Sequence, residues 1–306
     1  DNPEARDGVS GIVMNVKTGE VLAMANLPDF DPNDAYHLTS EVYINELKTD
    51  VQKILTDAKI AAVIPDKWYE EGGLANLPEE LQKNDDIVNK LGSARVNILM
   101  KTWRNPVVSD NYEPGSTFKA LVLAAALEEG AVSESDTFYC PGYYMVEGWP
   151  KPISCSKKAP GHGTQTLKVA TGNSCNPAFV TMGLKIGTEA YYRYLKSFGL
   201  METTGIDLPA EAEGIFANED SFNSNVVSLA AYSFGQTFNV TPLELIRAQA
   251  ATINGGYLYT PYLVEQVLDD EGNIPDSYKG IADDDIIISM ADTATHTYTA
   301  KVSSKT

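Results

Sequence analysis

Ser116 and Lys119 stand three residues apart in Ser116-Thr117-Phe118-Lys119, at the head of a run dominated by Ala, Leu and Val. On a helix that spacing is about one turn, so both side chains share a face. A serine hydroxyl attacks a carbonyl poorly until a base takes its proton. A lysine amine partly desolvated among apolar neighbours loses enough basicity to be that base. The start of a helix adds N–H groups and partial positive charge beside the reacting centre. A second group, Gly172-Asn173-Ser174-Cys175-Asn176-Pro177, reads as a tight turn that points Ser174 and Asn176 into one cleft. There the hydroxyl can relay a proton to a leaving amine, and the carboxamide can hold a peptide amide. A third group, Ser304-Lys305-Thr306, follows the strand-like Tyr298 to Val302 and offers a cation and a hydroxyl to a carboxylate. Each group alone has an ordinary reading: a serine N-cap with a surface lysine, a turn before a helix, a Lys-Thr pair of no consequence. Their order sets them apart, with 58 residues from Ser116 to Ser174 and 131 from Ser174 to Lys305.

The elements that must position these groups are legible in outline. Ile12 to Val16 and Val21 to Met24 flank Lys17-Thr18-Gly19-Glu20 and predict a β-hairpin. From about Ser40 to Leu99 the chain turns polar and helical in pattern, and we read it as an accessory helical insertion. Tyr112-Glu113-Pro114-Gly115 leads into a helix over Ser116 to about Glu129, with Gly130 as its C-cap. Further helices are expected over Leu167 to Ala170, after Asn176, and from the capping box Thr241-Pro242-Leu243-Glu244. Tyr262 to Leu268, a turn at Asp270-Glu271-Gly272-Asn273, and the last twenty residues read as sheet. Helices in the middle with strands at both ends predict an α+β architecture whose sheet unites the ends of the chain.

The 306 residues carry a formal charge of −19, which repels a phosphate backbone, and no basic stripe offsets it. Nucleic acid is therefore excluded as a partner. The longest clearly apolar run, Ala120 to Leu127, is far short of the roughly 20 residues a membrane span needs. Of three cysteines, Cys140 and Cys155 bracket a loop rich in Pro, Gly and Tyr. A disulfide closing that loop would contribute about 3 kcal/mol; the alternative is that both stay reduced. The absence of any C-x-x-C pair, with His37, His162 and His296 the only imidazoles, argues against a zinc site, and no cofactor is expected. Cys175 with His162 as a cysteine-protease pair is remote, because Cys175 lies inside the second motif.

Taken together, the three groups resemble the S-x-x-K, S-D-N and K-T-G signature of penicillin-binding proteins and class A β-lactamases. The sequence resembles the transpeptidase domain of class B penicillin-binding proteins over roughly residues 8 to 38 and 101 to 268. Lys17-Thr18-Gly19-Glu20-Val21-Leu22-Ala23-Met24 and Phe30-Asp31-Pro32-Asn33 are similar to the family's first hairpin and the following loop. Trp103-Arg104-Asn105, Tyr112 to Lys119, Thr204 to Pro209 and Phe234-Gly235-Gln236 through Pro242 also match. Tyr139-Cys140-Pro141-Gly142, Cys155 and Gly161-His162-Gly163 resemble Gram-positive, Firmicutes-type members. The resemblance implies the penicillin-binding and serine β-lactamase-like fold, an antiparallel sheet flanked by helices with an all-helical subdomain. It implies that Ser116 attacks the penultimate D-Ala carbonyl of a peptidoglycan stem peptide, that Lys119 takes its proton, and that Ser174 passes a proton to the departing D-Ala. Asn176 would bind the substrate amide, and Lys305 and Thr306 would face the terminal carboxylate. β-Lactam antibiotics would acylate Ser116. The family further implies an extracytoplasmic location, a membrane tether upstream of this chain, and membrane-embedded glycosyltransferase or divisome partners. Its third motif continues with Gly, whereas this sequence ends at Thr306, so the domain is read as truncated there. Alternatives are a β-lactam sensor, a serine β-lactamase, for which no deacylating glutamate motif is found, and a non-catalytic cell-wall scaffold.

Overall fold

The computed structural model describes residues 8–268. The expected 270–273 turn, the last strands and Lys305-Thr306 all lie outside the described residues. The chain opens with the expected hairpin, β1 (Val9–Met14) paired with β2 (Val21–Leu27). In its turn the Asn15 N–H donates to the Glu20 carbonyl at 2.8 Å, and the Asn15 and Thr18 side chains accept N–H bonds from two residues on.

The chain divides into two compact units. The first takes in residues 25–105 and is helical, with α1 (Glu41–Asp57), α2 (Asp66–Glu71), α3 (Glu79–Gln82) and α4 (Asp85–Thr102). Leu47, Val51 and Leu55 recur at four-residue spacing on α1 and face Ile87, Leu91, Ile98 and Leu99 of α4. One apolar stripe per helix is what a two-helix core requires. Asn84 caps α4 by accepting from the Ile87 N–H.

The second unit takes in residues 12–24 and those from 106 onward. After the short α5 (Pro106–Ser109), a 3-10 turn over Gly115–Phe118 runs into α6 (Lys119–Glu128). The expected helix is present, with its first turn wound more tightly than an α-helix, so Ser116 lies in the 3-10 turn. Short antiparallel pairs follow: β3 (Thr137–Cys140) with β6 (Gly163–Thr166), and between them β4 (Tyr143–Tyr144) with β5 (Ile153–Ser154). Then come α7 (Leu167–Gly172), α8 (Asn176–Ile186), α9 (Thr188–Ser197), α10 (Glu219–Asn223), α11 (Val226–Tyr232) and α12 (Pro242–Ile253). Helix α6 is apolar on most sides and packs against α8 and α12. Phe118, Leu121, Val122, Ala125 and Ala126 join Phe179, Phe222, Tyr232 and Phe238 in the core. The capping box of α12 is complete: Thr241 Oγ1 accepts from the Glu244 N–H at 3.1 Å, and the Glu244 carboxylate accepts from the Thr241 N–H at 2.7 Å.

The expected sheet over Tyr262 to Leu268 is reduced to isolated bridges. Val21 donates to the Tyr262 carbonyl at 2.9 Å, beside the parallel bridge Glu20 to Tyr262. That contact does join the first hairpin to the late chain, as expected. A contiguous strand is missing here because the Leu263 and Val264 N–H groups donate to the Asp207 carboxylate.

Candidate active site

The nucleophile candidate is placed by a glycine contact. Gly115 donates its N–H to the Gly235 carbonyl at 2.8 Å. Gly235 has φ +83°, and a Cβ there would lie 1.9 Å from the Gly115 carbonyl oxygen. With no side chain at 235, the two backbones close on each other. Gln249 of α12 donates to the Thr117 carbonyl at 2.9 Å, and Thr117 Oγ1 bonds the Pro114 carbonyl. The turn is thus fixed from both sides while Ser116 stays exposed.

Lys119, one turn on, is buried at 3% exposure. The second motif reaches it because Ser174 adopts φ +48° between α7 and α8, a left-handed kink that turns the chain back on α6. The Lys119 ammonium nitrogen Nζ lies 3.1 Å from Ser116 Oγ, 2.9 Å from Ser174 Oγ, 2.8 Å from the Ser174 carbonyl and 2.6 Å from Asn176 Oδ1. Asn176 is itself held, its Nδ2 donating to the Ser154 carbonyl at 2.9 Å. The amine also stands 5.4 Å above the Phe179 ring. Burial pulls the Lys119 pKa down to about 8.

These contacts can also be met by the neutral amine that burial favours. The Ser174 carbonyl and Asn176 Oδ1 can only accept. A neutral Lys119 has two N–H groups, which satisfy those two oxygens and leave its lone pair for a hydroxyl proton. The arrangement therefore joins an activated serine to a second hydroxyl through one amine. Beside it a cleft of about 460 Å³ is lined by Ser116, Lys119, Leu123, Leu127, Thr171 and Thr252 among others.

Four of the six residues singled out for chemistry in the sequence therefore converge: Ser116, Lys119, Ser174 and Asn176. Lys305 and Thr306 lie outside the described residues. Phe179 and the Ser154 carbonyl escaped the sequence reading, since an aromatic in an apolar helix and a backbone oxygen carry no distinguishing pattern. The Cys140–Cys155 disulfide is not formed; all three cysteines are free thiols. Cys155 Sγ faces Cys175 Sγ at 4.0 Å and His162 Nδ1 at 3.6 Å, so the thiols share one pocket and do not pair off.

The model of the penicillin binding protein transpeptidase domain matches residues 9–305. The chain belongs to this family. It is 35% identical over 273 residues to stage V sporulation protein D of Bacillus subtilis (strain 168), covering 88% of this chain and 32% of that protein. It is 25% identical over 295 residues to penicillin-binding protein PbpB of Mycobacterium tuberculosis (strain ATCC 25618 / H37Rv), covering 96% of this chain and 33% of that protein. The chain thus spans about a third of the length of these relatives. Among solved structures, Pseudomonas aeruginosa PBP2 superimposes with a TM-score of 0.61 at 21% identity, over 89% of this chain and 51% of that one. This likeness establishes the α+β penicillin-binding fold expected from the sequence. Among the described residues no helix is long and apolar enough to cross a membrane.

Proposed function

We propose that this chain is the catalytic part of a serine D,D-transpeptidase that cross-links peptidoglycan stem peptides. The observation that carries the reading is one buried amine bonded to both Ser116 Oγ and Ser174 Oγ. Neutral Lys119 takes the Ser116 proton as Oγ attacks the penultimate D-Ala carbonyl. The C–N bond then breaks, and the proton returns through Ser174 Oγ to the departing D-Ala amine, leaving an ester on Ser116. An amine of a second stem peptide attacks that ester; a new amide forms, and Ser116 recovers its proton by the reverse path. Asn176 keeps Lys119 in register and has a further N–H on Nδ2 to offer a substrate amide. Lys305 and Thr306 hold the terminal carboxylate. β-Lactams acylate Ser116 through the same steps and leave the ester in place.

The family resemblance supports an extracytoplasmic site of action, a membrane tether upstream, and membrane-embedded glycosyltransferase or divisome partners. The 40–100 segment is an insertion within the transpeptidase domain. The deciding experiment is intact-protein mass after incubation with benzylpenicillin, beside Ser116→Ala. A persistent one-to-one adduct lost in the variant is expected. Rapid return to the unmodified mass would instead mean a β-lactamase, and no adduct would leave a scaffold.

A further inference from the structure

Three thiols and an imidazole meet beneath the second motif. Cys140 ends β3, Cys155 follows β5, His162 sits in the turn entering β6, and Cys175 is the N-cap residue of α8. Their four ligand atoms all lie within 4.8 Å of one another, and all three cysteines are buried. No two of these ligands form a C-x-x-C-type pair close along the chain. Here each ligand comes from a different element end, so the fold and not the spacing assembles the set.

The spacing fits a metal. Tetrahedral zinc with Zn–S near 2.3 Å and Zn–N near 2.0 Å sets two sulfurs about 3.8 Å apart and a sulfur and nitrogen about 3.5 Å apart. Cys155 Sγ is 4.0 Å from Cys175 Sγ and 3.6 Å from His162 Nδ1. The surroundings fit thiolates as well. Gln165 Nε2 donates to Cys175 Sγ at 3.4 Å. The backbone N–H groups of Lys157 and Asn176 lie near Cys155 Sγ. Such outer donors neutralise and orient metal-bound sulfur. Gly161 lets the loop close: a Cβ there would lie 2.2 Å from the Cys140 carbonyl.

We propose that Cys140, Cys155, His162 and Cys175 form a closed Cys3His zinc site. With four protein ligands and no open position, the zinc is structural. Cys155 adjoins Ser154, whose carbonyl holds the Asn176 amide, and Cys175 sits between Ser174 and Asn176. One ion thus ties both ends of the bond that keeps Ser174 and Asn176 on Lys119. The four ligands are positioning residues.

The test is metal analysis of the full chain, followed by replacement of the metal with cobalt(II). One zinc per chain is expected, with all three thiols unreactive until a chelator removes it. The cobalt form should show thiolate-to-metal charge transfer and intense tetrahedral d–d bands. Cys175→Ala should lose the metal. His162→Cys should keep one metal while the d–d bands move, with circular dichroism confirming the fold. Zinc-free chain that gains no cobalt bands, freely titrating thiols, a Cys–Cys disulfide in the isolated chain, or unmoved bands in His162→Cys would each overturn the proposal.

Discussion

Lys119 sets the pH behaviour of the site. Its pKa is held near 8 by burial, and the neutral amine is the form that accepts a proton. The rate of β-lactam acylation is therefore expected to climb tenfold per pH unit below about 8 and level off above it, as read by stopped-flow or quenched mass spectrometry. Asn176→Asp places a carboxylate where Oδ1 now lies 2.6 Å from Nζ. That charge favours the ammonium form, so the profile should shift to higher pH by about one to three units. A profile that stays in place would show that Lys119 is not the base. Lys119→Arg keeps the charge but cannot give it up, and should cut acylation by about 10² to 10⁴. The reactive pair at this scale was legible because S-x-x-K fixes a helical face. The amine's other partners were not, since a lysine in an apolar run says nothing of which oxygens will surround it.

At the level of elements, the Gly115–Gly235 contact and Gln249 of α12 hold the nucleophile turn. Gly235→Ala meets both a left-handed φ and a backbone oxygen at 1.9 Å. It should cost more than the roughly 1 to 2 kcal/mol of the dihedral alone and lower acylation and melting temperature together. In the α12 cap, burial raises the Glu244 pKa from its ordinary 4.5 to about 7. A carboxyl with a higher pKa in the fold favours the fold at low pH, and that advantage is lost as pH rises from about 4.5 to about 7. Glu244→Gln should flatten this part of the stability profile, checked by denaturant melts across that range. The hairpin, α6, α7, α8 and the capping box all follow from local signals in the sequence. The Cys140, Cys155, His162 and Cys175 cluster does not, because it needs the β3–β6 and β4–β5 pairings, whose partners lie up to 29 residues apart.

On the scale of the whole molecule, each unit has its own apolar core. Leu91, fully buried in the first, supports α1 against α4. Leu91→Ala should cost about 2 to 5 kcal/mol in that unit. Hydrogen exchange should show α1 and α4 losing protection while α6 and α8 keep theirs. The helical character of residues 40–99 was plain from their pattern, whereas the division that assigns residues 12–24 to the other unit was not. It arises from pairing with Tyr262, more than 200 residues away in sequence.

Ser116 is open to solvent and its base is beneath it, and this asymmetry governs how long an ester persists. Once Ser116 is acylated, the bulky group sits over Lys119, whose nitrogen is already enclosed by four protein oxygens. Water reaching the ester would then have to compete for an amine already engaged by these oxygens before it could be activated. An incoming substrate amine is a stronger nucleophile and needs less help. On the proposed mechanism, the burial that arms the serine is thus expected to give its ester a long half-life in water, leaving time for an amine acceptor, as the decay of the mass adduct would measure.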